Sequence, residues 1–160
     1  MAKAAKRLES VDVALARQTY LDAWTAAMFA GQFTSGVDLR EVSRAARAAP
    51  PPAGVPRPSD LLLDGLAVLV TEGRSRAEPL LKEGARVFAE DEIALEEGLR
   101  WGWLTMSAAA MLWQEDCWHA IMARQLQSVR EAGLLIHLLV WCNRPPSKRP
   151  GAAISRRLLP

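Results

Sequence analysis

One tyrosine, three phenylalanines and two cysteines in 160 residues leave little to fill a sheet and nothing to build a disulfide framework. Cys117 and Cys142 stand 25 positions apart, outside any Cys-x-x-Cys spacing. A zinc finger is therefore not implied, and a reducing compartment fits the chain best. Charge of one sign is also scarce: the formal net charge is +2, which excludes a strongly basic nucleic-acid binder on global composition. Long hydrophobic runs are missing too. The longest, Ala132 to Cys142, is broken by His137 and falls well short of the ~20 residues a membrane span needs. The opening MAKAAKRLESVD carries charge with no apolar region behind it, unlike a secretory signal. The expectation is a cytoplasmic, unanchored protein.

What the chain does have is alanine and leucine, 27 and 22 of them. These are the strongest helix formers, and with so few β-branched and aromatic residues they predict an all-α fold. Nine of the ten prolines fall in two clusters, Pro50 to Pro58 and Pro145 to Pro160, so only Pro79 interrupts the stretches between. From Asp12 to Phe33 the apolar positions Val13, Leu15, Ala16, Tyr20, Leu21, Trp24, Ala27 and Met28 recur at three- and four-residue steps, the period of an amphipathic helix. Gly31 or Gly36 would end it. A shorter helix is expected from 38 to 49, stopped by the extended, polyproline-like PPPAGVPRP. Ser59 would cap the next. Further helices are expected over 60–72, 75–90, 92–113, 115–132 and 134–142.

These helices repeat. Placing Leu21-Asp22-Ala23-Trp24 over Leu63-Asp64-Gly65-Leu66 sets Gly31 over Gly73, an offset of 42. At an offset of 41, Leu63 falls on Leu104, Ala67 on Ala108, and Ala77, Leu81 and Phe88 on Trp118, Met122 and Val129. A period of ~40 with two helices per unit predicts antiparallel hairpins stacked as a short TPR-like α-solenoid. It would span residues 1–143, followed by a disordered Pro- and Arg-rich tail at 144–160.

Little catalytic chemistry is visible. Gly31-Gln-Phe-Thr-Ser-Gly36 has the glycine spacing of a phosphate loop, but Val37-Asp38 stands where Lys and Ser/Thr are required. Glu115, Asp116, Cys117 and His119 carry metal-ligand chemistry, yet on one helix only Glu115 and His119 share a face, and two ligands do not make a site. The two acids read as first-turn residues at a helix N-terminus and Cys117 as a small apolar one. His137 lies in a run of leucines and reads as a surface or core histidine. No nucleophile stands in a Gly-x-Ser-x-Gly setting. No cofactor, metal or catalytic residue is expected. The least ordinary feature is tryptophan: Trp101, Trp103, Trp113 and Trp118 fall in one proposed hairpin, as gap-filling core rings or as a ligand or partner surface.

The stretch from Leu15 to Gly31 (LARQTYLDAWTAAMFAG), then Glu41 to Pro52 (EVSRAARAAPPP), Arg57 to Ala67 (RPSDLLLDGLA) and Thr71-Glu-Gly73 resembles the helical middle region of the large ATP-binding LuxR-type transcriptional regulators of actinobacteria. The likeness runs on through Glu97-Gly-Leu-Arg-Trp101 and Ala123-Arg-Gln125 to Arg130-Glu-Ala-Gly133, covering about 15 to 140. It implies a signal-transduction ATPase whose TPR-like sensor arm joins a nucleotide-binding module to a DNA-binding helix-turn-helix. Only the arm is matched, so ATP is implied for the family's ATPase domain and for no residue of this chain. The expected partner is a protein or a small-molecule inducer, with no direct nucleic-acid contact. A free-standing scaffold and a small-molecule binder using the Trp-rich hairpin are the alternatives. After Val140 the sequence leaves the family pattern, as a truncated or frame-shifted gene product would.

The charge divides unevenly: +3 over residues 1–57, −6 over 58–143 and +5 over 144–160. The slight basicity thus belongs to the terminal segment, and the helical body is mildly acidic.

Overall fold

The computed structural model describes residues 1–30, 38–90, 93, 95–112 and 115–131. All regular structure among them is helical: α1 (Ala2–Leu8), α2 (Val13–Ala30), α3 (Leu39–Ala48), α4 (Pro58–Thr71), α5 (Arg74–Glu90), α6 (Leu95–Met111) and α7 (Glu115–Glu131). The fold is all-α, as the alanine and leucine content requires. None of these helices is long and apolar enough to cross a membrane. Gly31, Gly36, His137, Cys142, the helix expected over 134–142 and the tail at 144–160 lie outside the described residues.

Each helix start has a local cause. The Asp12 carboxylate accepts the Leu15 amide at 3.0 Å and opens α2, and Asp38 accepts the Arg40 amide at 2.9 Å and opens α3. At the end of α3, Ala49 turns to φ −69°, ψ 152°, the extended conformation that a following proline imposes. The start of α4 differs from the Ser59 cap expected of the sequence. Arg57 is the cap residue, Pro58 occupies the first turn, and Ser59 is buried inside the helix. The reason is Pro58, whose fixed φ suits the first helical position. Asp60 then folds back so that its Oδ2 accepts the Arg57 amide at 3.0 Å. The helix ends at Thr71, and Gly73, two residues on, takes at φ +92° a backbone conformation L-residues avoid.

The chain divides into two compact units within α5, Met1–Leu81 and Lys82–Pro160. In the first, α2 packs against α3 and α4, α3 against α4, and α1 against α2 and α3. The core is Tyr20, Leu21, Trp24, Val42, Leu62, Leu63 and Leu66, all buried. Trp24 donates its indole N–H to Ser43 Oγ at 3.1 Å, and Ser43 donates to the Leu39 carbonyl at 2.8 Å, so a buried polar chain ties α2 to α3. Gly65 lets α5 come close to α4, because a Cβ there would fall 2.5 Å from Leu81 Cδ2.

Helix α1 was not expected from periodicity. Its sequence AKAAKRL has no apolar stripe, and only Ala5 is buried. It is held by its exit: Glu9 accepts the Tyr20 hydroxyl at 2.7 Å and Lys6 Nζ at 2.8 Å. Burial and the neighbouring Glu9 carboxylate together push the Tyr20 phenol well above its ordinary range.

In the second unit α6 packs against α7. Gly98 and Gly102, one turn apart on α6, leave a notch that receives the Gln125 side chain of α7, whose amide donates to the Gly98 carbonyl.

Candidate functional site

Trp101, Trp103, Trp113 and Trp118 separate in the structure. Trp101 and Trp103 are two positions apart on α6, so they leave it about 200° apart, in keeping with ~100° per residue. Trp101 is 3% exposed and forms part of the core of the second unit, with the Arg100 guanidinium 4.9 Å from its ring centroid. Trp103 is half-buried. Trp118 on α7 is also half-buried, unlike its repeat equivalent Ala77, and meets the His119 ring edge-on at 5.0 Å between centroids. Trp113 lies outside the described residues. Trp103 and Trp118 are therefore the described members of the set that reach solvent.

The hairpin carrying them is tied by backbone carbonyls. Thr105 donates to the Trp101 carbonyl at 3.1 Å and Ser107 to the Trp103 carbonyl at 2.8 Å, each bonding back one turn of α6. Arg124 of α7 reaches the Phe88 carbonyl near the end of α5 at 3.4 Å. His119 is exposed. Among the described residues no group of three or more His, Cys, Asp or Glu side chains is placed to hold a metal ion. The side chains of Glu115, Asp116 and Cys117 are outside the described set.

Among the described residues the densest polar constellation lies elsewhere, and sequence reasoning passed over it. Arg17 of α2 is 3% exposed and Asp60 of α4 is 1% exposed. Arg17 Nε donates to Asp60 Oδ1 at 2.7 Å, and its Nη2 donates to Asp64 Oδ1 at 2.8 Å and to the Asp60 carbonyl at 3.2 Å. Its Nη1 reaches the Pro50 carbonyl at 3.5 Å. On the other side of the same carboxylate, Arg57 Nε donates to Asp60 Oδ2 at 3.0 Å and Arg57 Nη2 donates to the Ala14 carbonyl at 3.0 Å. Burial pushes the Asp60 carboxyl up, but hydrogen bonds from Arg57 and Arg17 outweigh it and hold it below the usual carboxylate range. Burial likewise opposes the Arg17 charge, and Asp64 and Asp60 more than restore it.

A signal for this constellation was available. Arg17 lies three and four residues before Tyr20 and Leu21, on the apolar stripe of α2, where a cation is tolerated only with an acid beside it. Asp60 and Asp64 bracket three leucines in the same way. The Asp60 carboxylate already accepts four hydrogen bonds from Arg17 and Arg57, so the arrangement joins α2, α4 and the segment between α3 and α4.

No family model matches the chain, and no curated protein or solved structure is significantly similar to it.

Proposed function

We propose that the chain is a helical-repeat sensor or protein-interaction module of the kind carried by the large ATP-binding LuxR-type transcriptional regulators, with TPR-like stacked hairpins and no chemistry of its own. The observation that carries the reading is the repeat. Leu21, Leu63 and Leu104, which the offsets of 42 and 41 superpose, are all fully buried. Ala67 and Ala108 are buried at another matched pair, and Phe88 and Val129 at a third. The packing of α4 on both α2 and α3 supports the same reading, since each hairpin of a solenoid buries its apolar face on the next. The family phrases also fall on residues that hold the helices together, since Arg17, Arg57, Asp60, Asp64 and Gly65 all lie within them.

In such a module an inducer or partner binds the helical surface and shifts a conformational equilibrium in an ATPase, in proportion to its differential affinity for the two states. The test is the gene neighbourhood. An ATPase reading frame upstream and a helix-turn-helix frame downstream are expected, and the absence of both would sink the assignment.

A second reading, small-molecule binding by the α6–α7 hairpin, is favoured by the partial exposure of Trp103 and Trp118. It predicts a saturable change in tryptophan fluorescence with one member of a metabolite and nucleotide panel. A flat response across the panel removes it.

A further inference from the structure

Helix α1 is too short to stand alone. It has seven residues, and an isolated helix of fewer than about 12 residues is marginal in water even when rich in alanine. Its order therefore comes from docking on α2 and α3, against which it packs. Yet it brings little apolar surface to that contact. Ala5 is its one buried residue, Lys3, Lys6 and Arg7 are exposed, and Met1, its cap residue, makes no side-chain capping bond. The helices beneath do not need it for a core, since α2, α3 and α4 bury Leu21, Trp24, Val42, Leu62, Leu63 and Leu66 among themselves.

A polar contact makes up the difference. Glu9, the first residue after α1, has a side chain only 11% exposed, and its two oxygens accept from different places. Lys6 lies on α1 itself, three residues away and open to solvent, so its bond to Glu9 can form with α1 docked or free. The Tyr20 hydroxyl belongs to α2, on a fully buried side chain, and its 2.7 Å bond to Glu9 exists only while α1 is down. A hydrogen bond to a carboxylate held out of water is stronger than one between neutral groups.

We infer that α1 is a strap latched by the Tyr20 hydroxyl, which docks and folds, or lifts and unfolds, as one unit while α2, α3 and α4 stay packed. Lifting gives up one buried alanine and the latch, so it is a local opening of low free energy rather than a part of global unfolding. The order of a terminal segment is then governed by a single bond, and with it access to the side of α2 and α3 on which α1 lies. The inference concerns the first unit only and stands whether or not the chain belongs to a LuxR-type regulator.

The experiment follows amide hydrogen exchange of the full chain by NMR in urea below the unfolding transition. Protection in α1 should be measurable, lower than in α2 and α4, and almost indifferent to urea. Val68→Ala, a cavity in the core face of α4, should lower protection in α2 and α4 and leave that in α1 unchanged. Tyr20→Phe keeps the ring and removes the hydroxyl, so protection in α1 should fall about tenfold or more. Glu9→Ala breaks the latch from outside the core, and combining it with Tyr20→Phe should lower α1 protection little beyond the larger single effect. Absence of protection in α1, protection equal to that of α2 and α4 with the same urea dependence, or a fall in α1 under Val68→Ala matching that in α4 would each overturn the inference. So would α1 exchange indifferent to Tyr20→Phe, or effects of the two latch substitutions that simply add.

Discussion

Removing the Asp60 carboxylate leaves the Arg17 guanidinium in a space from which water is excluded. Losing hydrogen bonds to a charged group costs about 1.5–3 kcal/mol, and Asp64, still 2.8 Å from Arg17, keeps the cost below that of a wholly unpaired buried charge. Asp60→Ala should therefore lower stability by about that amount in urea unfolding followed by circular dichroism. Replacing Arg47, whose 2.6 Å pair with Glu72 is open to solvent on both sides, should cost under about 1 kcal/mol. The same carboxylate sets an acid limit. Its folded pKa lies below its unfolded value of about 4. Its stabilisation is therefore complete above pH ~4 and is lost as pH falls through the lowered folded value. Glu9, also held low despite burial by Lys6 and Tyr20, acts in the same direction. The urea midpoint should fall below pH 4, and less steeply in Asp60→Asn than in the parent chain.

At the scale of elements, glycine decides how closely helices approach. Gly65→Ala would put a Cβ 2.5 Å from Leu81 Cδ2 and 2.8 Å from its Cγ, and Leu81 is buried. Overpacking of that kind costs about 1–3 kcal/mol, against about 1 kcal/mol gained in helix propensity. A lower thermal midpoint is expected. Gly102→Ala meets the flexible Gln125 side chain, its terminal amide most closely, and that side chain can swing aside, so its midpoint should move less than that of Gly65→Ala. Six of the seven described helices were legible from periodicity and proline placement, because long amphipathic segments carry their own signal. Helix α1 was not, since AKAAKRL has no apolar period and its place depends on Tyr20, eleven residues beyond Glu9. The cap at Arg57 was missed for a related reason: Pro58 and the returning Asp60 outweigh the intrinsic preference of Ser59 for a cap. In the tryptophan-rich hairpin, two positions of separation put Trp101 and Trp103 on different faces of a helix. Which of the two is buried was not readable from the sequence of α6 alone.

At the scale of the molecule, the polar constellation joins parts of the chain that local sequence cannot relate. Arg17 and Asp60 are 43 positions apart, and Arg57 closes an equal span to Ala14. The repeat could be found by laying the sequence on itself, whereas this bond between unlike positions could not, since Arg17 and Asp60 are not repeat equivalents. The span has a kinetic consequence. Strong bonds to a desolvated carboxylate need both helices in final register and the water gone, so they belong to the native side of the folding barrier. An interaction absent from the transition state changes the rate of unfolding and leaves the rate of folding nearly untouched. Asp60→Asn should accordingly steepen escape from the native state in stopped-flow unfolding while refolding proceeds at close to the parent rate. The clamp that holds α2 to α4 is then a determinant of how long the first unit stays folded, more than of how quickly it gets there.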